Sequence, residues 1–306
     1  RALAGMRDID LGLPLQANSI CRIASMTKPV TGVAVLMLLE QGLVQLEDPI
    51  SKYIPEFAEP AIFSENGAAL PAEREINIRD LLTHTSGLSY DLPEPIDGAG
   101  TMTTGELVRC LGALPLVHHP GQTWTYGTNM DVLGHLVEVL SGIAFDEFLQ
   151  QRIFAPLGMD DTAFDVPQDK RDRLAVLYQQ ADDAQPGTLV PMSEEPVPFG
   201  PFLFSVKDVC TTSYRAHLGG HGLVSTLHDY TRFAQMLLNG GHLEGTRLLG
   251  RRTVDRMATN SIGDLPMVIG DAFGVALHGD TMGLGVGIRA DRGRFGGLES
   301  VGSFGW

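Results

Sequence analysis

Cysteine is scarce in this chain. Cys21, Cys110 and Cys210 are odd in number and far apart, and no CxxC occurs. That excludes a disulfide framework and a thiolate zinc site, and it favours a reducing compartment, hence a cytoplasmic location. Positive charge is also short: 22 Lys+Arg face 37 Asp+Glu, for a net charge of −15. Neutralising phosphates takes clustered Lys and Arg, so a nucleic-acid partner and an anionic membrane surface are both disfavoured. Long apolar runs are missing. The densest, Gly32 to Leu39, falls far below the roughly 20 residues of a membrane span. No basic-then-apolar leader opens the chain. Several chemical signatures are missing as well: there is no GxSxG elbow, HExxH, P-loop or full GxGxxG. The nine His residues show no metal-ligand spacing. No metal and no organic cofactor are expected.

What remains is a globular composition, 43% hydrophobic and 19% charged, in a chain long enough for a large core. Glycine is abundant, 36 of 306 residues against roughly 7% in ordinary proteins. It concentrates near 219–222, 240–245 and 283–305, which predicts tight turns between strands late in the chain. Residues 1–20 read as extended and turn structure. Residues 25–42 read as a helix buried on most of its surface and stopped by Gly42. Short helices are predicted at 78–83 and 104–111, and longer ones at 129–150 and 226–239, the last capped by Thr226. Residues 165–215 have weak periodicity and read as a long excursion; 272–306 read as antiparallel strands. The predicted class is α+β: an antiparallel sheet flanked by helices, from residues 1–75 and 216–306, with a mostly helical domain, 76–215, inserted.

Ser25-Met26-Thr27-Lys28 stands out at the head of the buried helix. Spacing i, i+3 puts both side chains on one face. A serine must lose its proton before attacking a carbonyl. A neighbouring amine helps either by accepting that proton or by holding the developing alkoxide as a cation. The helix N-terminus adds its dipole nearby. The pattern is short, and alone it is also satisfied by a capping serine and a snorkelling surface lysine. The second feature is Trp124-Thr125-Tyr126-Gly127-Thr128-Asn129-Met130-Asp131. Tyr126, between a Pro-Gly turn and a helix start, is placed to shuttle the nucleophile's proton. A core tyrosine bonded to backbone satisfies the same pattern. His118-His119 reads as a surface turn, Cys21 as an inert thiol, and His84 as structural.

Together these segments are more specific. Arg22-Ile23-Ala24-Ser25-Met26-Thr27-Lys28-Pro29, Leu81-Leu82-Thr83-His84-Thr85-Ser86-Gly87-Leu88 and Gly219-Gly220-His221-Gly222-Leu223-Val224-Ser225-Thr226 resemble the serine β-lactamase-related superfamily, on the class C and family VIII carboxylesterase side. The helix Phe233 to Gly241 fits the same resemblance, which runs in order from about residue 5 to 306. It implies that Ser25 is the acyl-accepting nucleophile, Lys28 its activating partner and Tyr126 the general base that later returns a proton to the leaving group. It also implies that the Ser25 N–H is one oxyanion donor. Asp131 is a supporting candidate, orienting Tyr126 or Lys28, or simply serving as an acid at a helix N-terminus. Two departures matter. The lactamases carry Asn two residues after the tyrosine; here Thr128 stands there and the amide is Asn129, which weakens an antibiotic substrate. Gly302-Ser303-Phe304-Gly305-Trp306 resembles the approach to the esterases' third motif. We therefore expect a chain trimmed at both ends, with a second oxyanion donor outside it. Trimming also leaves room for a lost signal peptide. Trp306 is the second supporting candidate, as an acyl-pocket wall or as a frayed end.

The expected function is hydrolysis of small-molecule carboxylic esters with short acyl chains, through a Ser25 acyl-enzyme. Two alternatives stay open. One is β-lactam or D-aminoacyl peptide hydrolysis, or acyl transfer, at the same site. The other is a catalytically silent binding domain.

Overall fold

The computed structural model describes residues 3–63, 69–91, 96–181, 187–207, 216–269, 275–277, 279–293 and 298–306. Cys210, part of the 165–215 excursion and parts of the late strand region lie outside them. The molecule is organised around helix α1 (Thr27–Glu40), every residue of which from Thr27 to Leu38 is buried. Its sequence explains both ends. Pro29 sits in the first turn, where a missing N–H is tolerated. Gly42, at φ +74°, takes the left-handed conformation that releases the chain after the last turn.

Around α1 stand α2 (Ile78–Leu82), α3 (Thr104–Gly112), α4 (Asn129–Ser141), α5 (Phe145–Leu149) and α6 (Ala155–Leu157). Two of these starts are written in the sequence as capping boxes. Asn77 with Asp80 opens α2, and Thr103 with Glu106 opens α3, each satisfying two orphan backbone donors. Helix α4 packs against α1, α2, α3 and α5. Val132, Leu133, Leu136 and Val137 of α4 join Val30, Val33 and Leu36 of α1 in the main core. Helices α7 (Leu227–Leu238) and α8 (Arg251–Met257) come later. Thr226 caps α7 by accepting from the Asp229 N–H, as its position before the apolar stripe predicts.

The strands are short and antiparallel. Residues 280–282, 287–289 and 304–305 form a three-stranded sheet, and its first turn uses Gly283 and Gly285. Cys21–Arg22 pairs with Val224–Ser225. That pairing ties the segment just before Ser25 to the glycine turn at 219–222. The excursion is not structureless. It carries a 3-10 helix, Gln168–Arg173, and two hairpins, 178–180 with 189–191 and 197–199 with 202–204, so among the described residues the α-helices of the 76–215 stretch fall within 78–157. Weak hydrophobic periodicity hid them, because three-residue strands give too few alternations to register. Among the described residues no helix is long and apolar enough to cross a membrane.

Candidate active site

Ser25 lies in a single 3-10 turn, Ala24–Met26, directly before α1. The turn is held from both sides. The Ile23 N–H donates to the Leu223 carbonyl at 3.0 Å, and the Leu223 N–H donates to Thr27 Oγ1 at 3.1 Å. Ala24 sits at φ +44°, a left-handed conformation that costs a non-glycine residue of order 1 kcal/mol or more. This bend presents Ser25, which is only half-buried, to the cleft instead of using it as a cap; α1 has no side-chain cap.

Lys28 is the largest fully buried polar side chain, with 0% of its surface exposed. Its Nζ donates to Ser25 Oγ at 3.1 Å and to the Gly220 carbonyl at 2.7 Å. Aromatic faces surround the rest of the ammonium. Its Nζ lies 4.6 Å from the Tyr126 ring centre, 5.7 Å from that of Trp306 and 5.8 Å from that of Tyr90. Such faces partly replace lost water for a desolvated cation. Tyr126 completes the triangle: its Oη is 2.5 Å from Ser25 Oγ. Trp306 lies nearly parallel to the Tyr126 ring, centroids 5.2 Å apart, and Trp124 does so at 6.2 Å. The structure thus brings Ser25, Lys28, Tyr126 and Trp306 together, although 281 positions separate the first from the last.

Asp131 is fully buried in the first turn of α4. It does not hydrogen-bond Tyr126 or Lys28 directly. Its Oδ1 accepts from the Gly220 N–H at 2.8 Å. The turn that carries Gly220 must run close: a Cβ on Gly219 would sit 2.3 Å from the Met130 carbonyl oxygen, and one on Gly220 2.9 Å from both Asp131 Oδ1 and Tyr90 Oη. Thr31 Oγ1 also donates to the Gly219 carbonyl, at 2.7 Å. Burial pushes the Asp131 carboxyl up to about 6, against the opposing pull of the Lys28 charge. Burial and that same charge push His221 down to about 3 and hold His84 well below the usual imidazole range. Both imidazoles are therefore neutral near pH 7.

The turn 84–88, polar in sequence, is buried throughout, with His84 at φ +58°. Asn129 explains how. Its Oδ1 accepts from Ser86 Oγ, which leaves its amide nitrogen to donate to His84 Nδ1 at 2.9 Å. The amide is thus committed inward. The His84 carbonyl in turn accepts from the Thr125 N–H at 2.8 Å, one residue before Tyr126. His118 is no plain surface residue either. It is partly buried, and its Nε2 lies 2.9 Å from Thr125 Oγ1. We expect Asn129→Ala to lower stability by about 2–4 kcal/mol, since two buried partners lose their bonds. A thermal melt within a degree of the parent would show that Asn129 does not hold this turn.

Tyr90 was not singled out from the sequence, and the quoted motifs gave no separate part to Gly219, Gly220 or Trp124. Tyr90 follows the Thr-His-Thr-Ser-Gly-Leu segment by two positions, and only its proximity to a quoted motif could have flagged it. The Gly219 and Gly220 backbone groups and the Trp124 ring carry no signal beyond a turn and a core aromatic.

A family model described as Beta-lactamase matches residues 1–306. Protein Rv1367c of Mycobacterium tuberculosis is 36% identical over 295 residues, covering 89% of this chain and 69% of that protein. Lovastatin esterase of Penicillium rubens is 30% identical over 262 residues, 82% of this chain and 62% of that protein. Among solved structures, EstCE1, described as a hydrolase with promiscuous acyltransferase activity, superposes with a TM-score of 0.76 at 24% identity, over 97% of this chain and 76% of that one.

Proposed function

For a chain that belongs to the beta-lactamase family, within the serine β-lactamase and transpeptidase-like superfamily, we propose the function of a serine esterase acting on small carboxylic esters through an acyl-enzyme. The observation that carries this reading is the triangle of Ser25 Oγ, Tyr126 Oη and Lys28 Nζ, with edges of 2.5 and 3.1 Å at the serine. It is built on a lysine that no solvent reaches. A serine hydroxyl in contact with both a phenol and an amine is what acyl transfer needs when no imidazole serves as base. The two buried imidazoles nearby are poor bases at their depressed values.

Ser25 Oγ attacks the ester carbonyl as its proton passes to Tyr126 Oη, which enters the step as the phenolate beside the Lys28 ammonium. The Lys28 ammonium and the α1 N-terminus stabilise the negative charge that develops. The Ser25 N–H serves as one oxyanion donor. Collapse of the tetrahedral intermediate breaks the C–O bond, and Tyr126 returns the proton to the departing alkoxide. Water then attacks the acyl-enzyme and gives its proton to Tyr126; collapse of the second tetrahedral intermediate breaks the bond to Ser25 Oγ, which takes that proton from Tyr126 as the acid leaves. An alcohol in place of water turns the same cycle into acyl transfer. The cleft lies between the 76–215 segment and the remainder. Trp306 forms one wall of it, its ring nearly parallel to that of Tyr126.

The name of the lovastatin esterase relative supports ester cleavage. The Asn129 side chain argues against lactams, because its amide is bound to His84 and Ser86 and is not offered to a substrate. The test is turnover of a p-nitrophenyl butyrate panel beside a chromogenic cephalosporin, then p-nitrophenyl butyrate with added butanol. Steady ester turnover far above cephalosporin opening supports the esterase, and butyl ester formation adds the transferase. Faster cephalosporin opening, or a stoichiometric burst with no turnover, overturns it.

A further inference from the structure

Lys28 and Asp131 are a buried cation and a buried anion that do not touch. Gly220 stands between them. Its carbonyl accepts from Lys28 Nζ at 2.7 Å, and its N–H donates to Asp131 Oδ1 at 2.8 Å. One residue thus connects the two charges with a hydrogen bond at each end. Among the described residues Asp131 Oδ2 has no hydrogen-bond partner. A carboxylate placed only for stability would have its second oxygen satisfied or be replaced by an amide.

We propose that Asp131 is a positioning residue for Lys28: acting through Gly220, it fixes the ammonium against Ser25 Oγ and sets a buried negative charge on the far side of the same peptide group. This rests on the acyl-enzyme reading above. A second consequence follows from burial. The charged Asp131 is retained at the expense of stability, because water would solvate it better than the protein does.

The groups facing Asp131 are few. Lys28 comes from α1. Tyr90 comes from the segment after α2; burial first, then the Asp131 charge, push its phenol well above the usual range. The Gly220 N–H and neighbouring His221 come from the glycine turn. The charges on the other helices packed against α4 are engaged elsewhere: Asp80 with Arg74, Arg109 with Glu56, and Asp146 with His217. On α4 itself, Glu138 pairs with His135.

A carboxyl whose value rises from the ordinary 3.8 to about 6 contributes its stability below pH 4. That contribution is lost as pH climbs through 6. Asp131→Asn removes the charge and keeps an acceptor for Gly220. We expect kcat to fall roughly 10–100-fold with KM within about twofold, the effect of a misplaced catalytic group. In the parent, kcat/KM should fall away below about pH 6. In Asp131→Asn that acid limb should be absent. The variant should also melt higher at pH 8, by on the order of 5 °C, with no gain at pH 4.5.

Parent-like kcat with the acid limb intact would overturn the proposal. So would a lower melting temperature at every pH with activity reduced only in step with folded protein. If the variant does not fold, carbon-13 NMR of aspartate-labelled parent protein decides: Asp131 must titrate at the midpoint of the acid limb, and a midpoint away from it sinks the proposal. Ser25→Ala separates the two failures. An active Ser25→Ala removes the acyl-enzyme reading, whereas an inactive one beside an unchanged Asp131→Asn removes only this inference.

Discussion

Ser25→Ala lowers ester kcat on the order of 10^6-fold, as removal of a serine nucleophile does elsewhere, while the fold survives. The survival follows from the site. Ser25 is only half-buried, and its side chain contributes two hydrogen bonds, to Tyr126 and Lys28. Their loss amounts to about 1 kcal/mol each. The melting temperature therefore moves by a few degrees, and the covalent acyl adduct seen by mass spectrometry on the parent is missing. Residual activity is that of the bare oxyanion donors and binding cleft. A variant that turns over esters at the parent rate would falsify the nucleophile assignment and move attention to Tyr126 or to another serine.

Lys28→Met is the second large effect, and it separates charge from shape. Methionine fills most of the same volume with an unbranched chain, so the helix and its core contacts persist. What disappears is the ammonium. The expected loss in kcat is on the order of 10^3-fold or more, the combined effect of an electrostatic stabiliser and an activating partner. Stability changes in a pH-dependent way. The Gly220 carbonyl loses its donor, at about 1–3 kcal/mol. Asp131 loses the opposing charge that holds its value down, so its carboxyl climbs further. The sign is fixed by that rise: the variant stays closest to the parent at pH 4.5, where Asp131 is neutral, and falls behind as pH rises past 6. His84 and His221, released from a nearby cation, shift upward toward the ordinary imidazole value. Thermal melts at pH 4.5 and 8, together with imidazole proton titrations, check all three statements. Melts that differ from the parent equally at both pH values would show that Asp131 and Lys28 are not coupled.

Much of this site is local in origin, and that part is legible in residue order. Ser25 and Lys28 share a face because a helix places residues three apart together. The helix itself is announced by the apolar run from Gly32 to Leu39 and by Gly42. Thr226 before α7, and the Asn77–Asp80 and Thr103–Glu106 boxes, are likewise short-range signals with short-range mechanisms. The setting of Tyr126, a Pro-Gly turn followed by a helix start, is legible too, but a core tyrosine fits it as well, and only the family resemblance gives it the role of general base.

Other features have no local signature. The hairpins at 178–191 and 197–204 are too short for a period to emerge. Burial of the polar 84–88 turn depends on Asn129, 43 or more positions away, and nothing in Thr-His-Thr-Ser-Gly foretells that partner. Asp131 reads equally well as an acid at a helix N-terminus or as a member of the site. Only the approach of Gly220, 89 positions later, decides that it addresses Lys28 through a peptide group.

Trp306 shows the same limit. Its ring could be a frayed end by sequence, and it lies against Tyr126 because the strand at 304–305 pairs with 287–289. Residue order carries α1, the Thr226 cap of α7 and the shared face of Ser25 and Lys28, since each rests on neighbours within one or two turns. Only folding raises the Asp131 carboxyl, depresses the His84 and His221 imidazoles and supplies the Gly220 bond that holds the lysine in place. Those properties depend on desolvation and on hydrogen bonds closed across long stretches of chain, and neither exists until the core has formed around α1.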